Sequence, residues 1–251
     1  MKTLFLHFVL ALCCLGAAAQ SDAEFVQLAE RQEAELNEHG AFENFRKALN
    51  INPSNHTALW KLSELCSRIG KRQATKQQQQ EFYVYGKSYA QRAIQVAPTA
   101  ADGYYVLAVS MGRLALAQSG KERVRSVKEI RTLIEKALAL HPRHGRAWHV
   151  LGKWHYEVSN LGIFEKAALK VAYGGLPPAS LKESIAAYER AKVYEPAFAL
   201  NFLELAKAYH RNDNDEKAFE QLRALPAVPN KTLDDARIKS EGARLLKEWS
   251  E

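Results

Sequence analysis

The chain has 251 residues, 47% of them hydrophobic, and carries 35 Lys and Arg against 28 Asp and Glu, a formal net charge of +7. That length and apolar content suffice for a sizeable core. Three cysteines are too few for a disulfide-built fold. With no glycine-rich phosphate loop, nucleophile elbow or CxxC pair, the sequence excludes the common nucleotide, hydrolase and thiol-redox sites.

Residues 1–20 stand apart. Lys2 precedes an apolar run from Leu4 to Leu15, and Ala17, Ala18 and Ala19 supply the small residues a signal peptidase requires. The segment predicts a signal peptide cut near Ala19 or Gln20, and hence export to a periplasm or to the medium. Its run is short for a bilayer span, and no later stretch provides one. Cys66 would then be the sole remaining cysteine. It shares a helical stripe with Leu62 and Leu65 and reads as a small core residue.

Residues 21–229 read as helical repeats. One phrase, with spacings of 4, 3 and 5, occurs four times: Ala41, Phe45, Ala48, Pro53; Gly86, Ala90, Ala93, Pro98; Ile130, Ile134, Ala137, Pro142; and Ser184, Tyr188, Ala191, Pro196. A second phrase opens the helix that follows, as Trp148, Leu151, Gly152, His155, with echoes at Tyr104, Leu107, Ala108, Met111 and at Phe202, Leu205, Ala206, Tyr209. Together they spell the tetratricopeptide pattern. Residues three and four apart share one helix face, and proline ends a helix. Such a unit keeps its apolar face dry only against its neighbours. The predicted fold class is therefore an all-α, tetratricopeptide-like solenoid of antiparallel helix pairs enclosing a groove.

Successive prolines lie 45, 44 and 54 residues apart, against a usual repeat of about 34, so helices longer than usual are expected. The run Gln77–Gln80 extends the helix ending near Ala97. The surplus of the fourth repeat, residues 157–178, carries Leu161, Phe164, Ala168 and Val171, then Gly174, Gly175, Pro177 and Pro178. It predicts a short extra amphipathic helix closed by a turn. In residues 230–251, Leu233, Ala236, Ile238, Ala243, Leu245, Leu246 and Trp249 predict a helix capping the last repeat.

Charge points to the candidate site. From Arg113 to Lys153 there are ten bases and three acids, which is about the whole positive excess. In this repeat type the first helix of each pair lines the concave side. Its lining positions give Tyr105, Val109 and Arg113, then Arg146, His149, Lys153 and Tyr156, then Lys207, His210 and Arg211. This basic, partly aromatic lining predicts an acidic protein or peptide segment as partner. It shows no aromatic–basic interleaving of the kind that binds single-stranded nucleic acid. His141, His144, His149 and His155 fall in a turn or at packing positions, so no metal or other cofactor is expected, and no enzymatic activity. The alternative is a membrane-surface adaptor that places Phe164 and Leu161 of the insertion, with the basic flank, on anionic lipid.

From about Tyr83 to the C-terminus the chain resembles the regulator of microtubule dynamics family. The resemblance rests on RAWHVLGKWHYEVSN (146–160), GGLPPASLKESIAAYERA (174–191) and NFLELAKAYHRNDNDEKA (201–218). It implies association with microtubules and spindle poles, or tethering of membranes at organelle contacts. Tubulin, with its acidic tails, is the implied partner, and the cytoplasm is the implied alternative to export. The apparent signal and the compact sequence point to a bacterial, exported member. No catalytic residue is implied.

Overall fold

The computed structural model describes residues 21–251; the expected signal peptide, residues 1–20, lies outside them. Among the described residues regular structure is helical throughout. The helices are α1 (Asp22–Ala34), α2 (Glu38–Ile51), α3 (His56–Lys71), α4 (Lys76–Val96), α5 (Ala101–Ala115), α6 (Gly120–Leu140), α7 (Gly145–Ser159), α8 (Ile163–Tyr173), α9 (Leu181–Tyr194), α10 (Ala199–Arg211), α11 (Asp215–Ala224) and α12 (Asp235–Ser250). They pack as pairs α1/α2, α3/α4, α5/α6, α7/α9 and α10/α11, each stacked on the next. The extra residues of the middle repeats lengthen the second helices: α4 and α6 have 21 residues each.

The repeated phrase builds one joint four times. Phe45, Ala90, Ile134 and Tyr188, with Ala48, Ala93, Ala137 and Ala191, are all fully buried. The residue before each proline cannot stay helical, because the ring crowds its backbone. Asn52, Ala97, His141 and Glu195 accordingly turn extended, with φ of −129°, −136°, −138° and −141°. Each still donates its N–H to the alanine carbonyl four residues back, at 2.8, 3.0, 2.8 and 2.8 Å. The aromatic that opens the next helix ties the turn down. Tyr104 Oη donates to the Pro98 carbonyl at 2.9 Å, and Trp148 Nε1 to that of Pro142 at 2.8 Å.

Small residues set the spacing between helices. A Cβ on Gly152 would lie 2.7 Å from the Tyr188 ring, so only glycine lets α7 approach α9 across that tyrosine. The core is a strip of clusters along the stack, as a solenoid requires, with Cys66 buried in the α3 segment. Burial pushes the Cys66 thiol up to about 12, so it is inert.

α12 closes the strip. Ile238 and Leu245 join Leu203, Leu222 and Leu225, and Gly242 sits where a Cβ would be 2.6 Å from Leu225. Trp249 stacks on His210 at 3.8 Å with the rings 7° apart. The other end of α12 reaches back along the inner face, where Asp234 meets Arg72 beyond the end of α3.

Candidate functional site: the inner face of the stack

The first helices of successive pairs (α3, α5, α7, α10) and then α12 pack side by side and form the inner face. Curvature there is tight enough for side chains to skip a neighbour. Arg146 on α7 donates from Nη1 to Glu64 Oε1 on α3 at 2.8 Å, passing α5, and from Nε to Glu195 Oε1 at 2.7 Å. Tyr105 Oη on α5 donates to the same Glu64 oxygen at 3.0 Å. Burial alone would raise the Glu64 carboxyl; Arg146, then Arg68 and Lys61, with the Tyr105 hydroxyl, bring it down to about 2. Tyr105 is itself pushed up by burial and by Glu64. Burial opposes the charge of Arg146, but Glu64 and Glu195 hold it protonated.

A second node centres on Glu204 of α10. Lys153 Nζ lies 2.7 Å from Glu204 and 2.9 Å from Glu157, and Lys207 Nζ lies 3.3 Å from Glu204 and 2.7 Å from Glu241 of α12. Burial works against all three charges. The lysines nevertheless lower the Glu204 carboxyl, and the carboxylates raise both ammonium groups. A third node joins α3 to α1, α2 and α12: Arg68 meets Glu33 at 2.5 Å and Glu38 at 3.4 Å, while Arg72 meets Glu38 and Asp234.

The polar and aromatic lining residues expected from the sequence are thus distributed unequally. Tyr105 and His149 are buried rather than presented to the concavity. The His149 ring lies against Phe198 and Tyr188, with Nδ1 3.0 Å from Asn201 Oδ1, and burial pushes its pKa down to about 4, so it is neutral at pH 7. Arg146, Lys153 and Lys207 do lie along the inner face, each already matched to glutamates. Arg211 donates to the Tyr156 carbonyl at 2.8 Å and to Ser159 Oγ at 3.0 Å, with its guanidinium over the Tyr156 ring. His210 is shared between Trp249 and Asp215.

Arg113 differs. Among the described residues neither it nor Lys71 makes an ion pair; burial, with Arg113 and Arg237 nearby, lowers the proton affinity of Lys71, and Asp234 and Glu241 only partly oppose this. The lining is therefore a charge-paired surface with one under-compensated corner, where Lys71 and Arg113 at the ends of α3 and α5 meet Arg237 at the start of α12, which lies 3.9 Å from Asp234 and 3.8 Å from Glu241. The repeat register does carry a signal for Glu64. It occupies in α3 the position held by Lys153 in α7 and Lys207 in α10, but the expected lining was drawn from the three later repeats alone. Glu204 carries no such signal, because it lies off the lining positions and is reached from α7. Among the described residues no group of three His, Cys, Asp or Glu is arranged to hold a metal.

A profile described as regulator of microtubule dynamics protein 1-3 matches residues 22–250. The chain belongs to that family. Among regulators of microtubule dynamics, protein 1 of Bos taurus is 26% identical over 195 residues, 77% of this chain and 62% of that protein. Protein 3 of Xenopus laevis is 30% identical over 179 residues, 70% of this chain and 38% of its own length. The chain thus matches about two fifths to three fifths of these relatives. In fold it is similar to TTC0263, a tetratricopeptide-repeat protein of Thermus thermophilus, with a TM-score of 0.64 at 16% identity over 89% of this chain and 99% of that one.

Proposed function

We propose that this chain is a non-enzymatic protein-interaction scaffold that takes an acidic segment of its partner on the inner face, at the corner formed by Lys71, Arg113 and Arg237. One observation carries this reading: Lys71 and Arg113, the two inner-face cations here without an ion pair, converge beside Arg237, which already shares Asp234 and Glu241, and a carboxylate from outside would give them a partner. The family name supports a microtubule-related partner, and the acidic tails of tubulin have the required charge. Expectations of export rest on residues 1–20 and are independent of this corner.

The deciding experiment is co-sedimentation with microtubules that keep or lack their acidic tails. Lys71→Glu with Arg113→Glu should abolish capture without loss of helicity, and removing the tails should do the same. Equal sedimentation of the double variant and the unaltered chain would refute the corner as the binding site. Sedimentation that ignores the tails would refute the acidic partner.

A further inference from the structure

Helix α8 is held at its ends and bare along its body. Lys128 Nζ on α6 donates to the Tyr173 carbonyl at 3.0 Å, and Leu161 and Leu176, just outside the helix, pack on the central core. Gly174 and Gly175, at φ of 71° and 72°, stop it by donating to the Lys170 and Leu169 carbonyls at 3.0 and 2.9 Å. Between these anchors no residue of α8 is buried. A hollow of about 440 Å³ lined by Val158, Leu161 and Leu169 separates it from the end of α7.

At about 100° per residue, Ile163, Phe164, Ala167 and Val171 share one face of α8, and the half-buried Leu169 and Tyr173 share the opposite one. The outward face is the apolar one. Ile163, Phe164 and Val171 are 84%, 92% and 90% exposed. Leu161, which the sequence grouped with Phe164, lies instead on the inward side. Around this ridge the surface is cationic. Lys166 and Lys170 lie beside it on α8, and the first two turns of α6, bearing the exposed Lys121, Arg123 and Arg125, adjoin the other side of α8, where Gly120 abuts Tyr173. Glu122 and Glu165 are the nearby acids, yet the one ion pair on α6 among the described residues is Arg131–Glu135.

A fully solvated apolar stripe on a surface is unfavourable unless something covers it. This one is a ridge rather than a groove, so it suits a soft surface that parts around it, and its free cations select a negative one. We propose that α8 is a membrane-docking wedge: Ile163, Phe164 and Val171 enter the headgroup region of an anionic bilayer while the cations of α6 and α8 meet its phosphates. The site lies on the insertion and does not depend on the inner-face corner.

Flotation of the full chain with phosphatidylcholine vesicles, with and without phosphatidylserine, tests this. The chain should float with the anionic vesicles and weakly with the neutral ones. Phe164→Asp with Val171→Asp should lower the bound-to-free ratio about tenfold or more. Lys121→Glu with Arg123→Glu and Arg125→Glu should reduce anionic binding to the neutral level. Val84→Asp with Tyr85→Asp, which removes exposed apolar surface on α4 instead, should leave flotation unchanged. All these positions are exposed, so each variant should melt with the unaltered chain. Three results would overturn the wedge: undiminished flotation of the Phe164/Val171 variant, equal binding to both vesicle types, or no binding by a chain that this variant converts from dimer to monomer. Lys71→Glu with Arg113→Glu should float normally, which separates this test from that of the inner face.

Discussion

Arg72, one residue past the end of α3, donates from Nη1 to Asp234 Oδ2 at the start of α12 over 3.1 Å, joining points 162 residues apart in the chain. The same guanidinium binds Glu38 at the start of α2. Asp234→Asn should therefore free the first turn of α12 while Arg72 keeps its other partner. Amide exchange over residues 235–240 is expected to rise about tenfold, corresponding to the loss of one charge-assisted hydrogen bond, with α10 unchanged. Equal exchange in the two proteins would mean that this contact contributes nothing to holding the cap.

Glu64 is the acid whose removal should cost most. Glu64→Gln leaves Arg146 in place with half its compensation, and breaking a buried pair from one side typically costs about 3–5 kcal/mol. Its folded carboxyl is held at about 2, below the ordinary value of 4.5. The unfolded chain thus takes up this proton first as acid is added. The contribution is complete above pH 4.5 and fades as pH falls toward 2. Denaturant titrations across that window should show a steep acid limb in the unaltered chain and a flatter one in the variant.

His149 sets a separate, milder window. Burial lowers its pKa to about 4 from 6.5, so the unfolded chain is protonated before the folded one. Stability is therefore full above pH 6.5 and declines as pH falls through 6.5 toward 4. Its imidazole resonances should still report a neutral ring at about pH 5; a charged ring there would contradict the buried placement against Phe198.

Reversing Lys153 and Lys207 together is the tempting test of a basic groove, and it would mislead. Both lysines neutralise Glu204, which is almost wholly buried. Lys153→Glu with Lys207→Glu should lower the unfolding free energy by about 3 kcal/mol or more, so lost partner capture in that variant would report misfolding. A calorimetric midpoint equal to that of the unaltered chain would show the node to be dispensable.

Truncation after Lys231 removes Ile238 and Leu245 from the cluster of Leu203, Leu222 and Leu225. The shortened chain should melt several degrees lower and associate, because those leucines become an open apolar end. A stable monomer by sedimentation velocity would show that α11 ends the stack unaided.

How far the sequence alone reaches follows from what each contact depends on. The joints of α2, α4, α6 and α9 are legible because proline, alanine and a large residue act within one helix and its exit. α1 is not: Ala29 is its one buried residue, and the rest of its surface is polar or partly exposed. The insertion helix is legible as amphipathic, but its outward apolar face is not, since direction depends on how Leu161 and Leu176 anchor it. The cations of the inner face are legible, and Glu64 is too as a lining position, but Glu204 and the pairings themselves are not. Arg146 and Glu64 lie 82 residues apart, and Lys153 and Glu204 lie 51 apart; only the curvature brings them together.

The similar bend before each repeated proline gives four of the five helix pairs a like exit, so their rotation accumulates in one sense along the stack. Asp234 meets Arg72 only because the number of steps is right. Insert one further pair, or delete one, and the end of the chain would swing past its seat. The Arg72–Asp234 clasp thus ties the number of pairs to the curvature of the array.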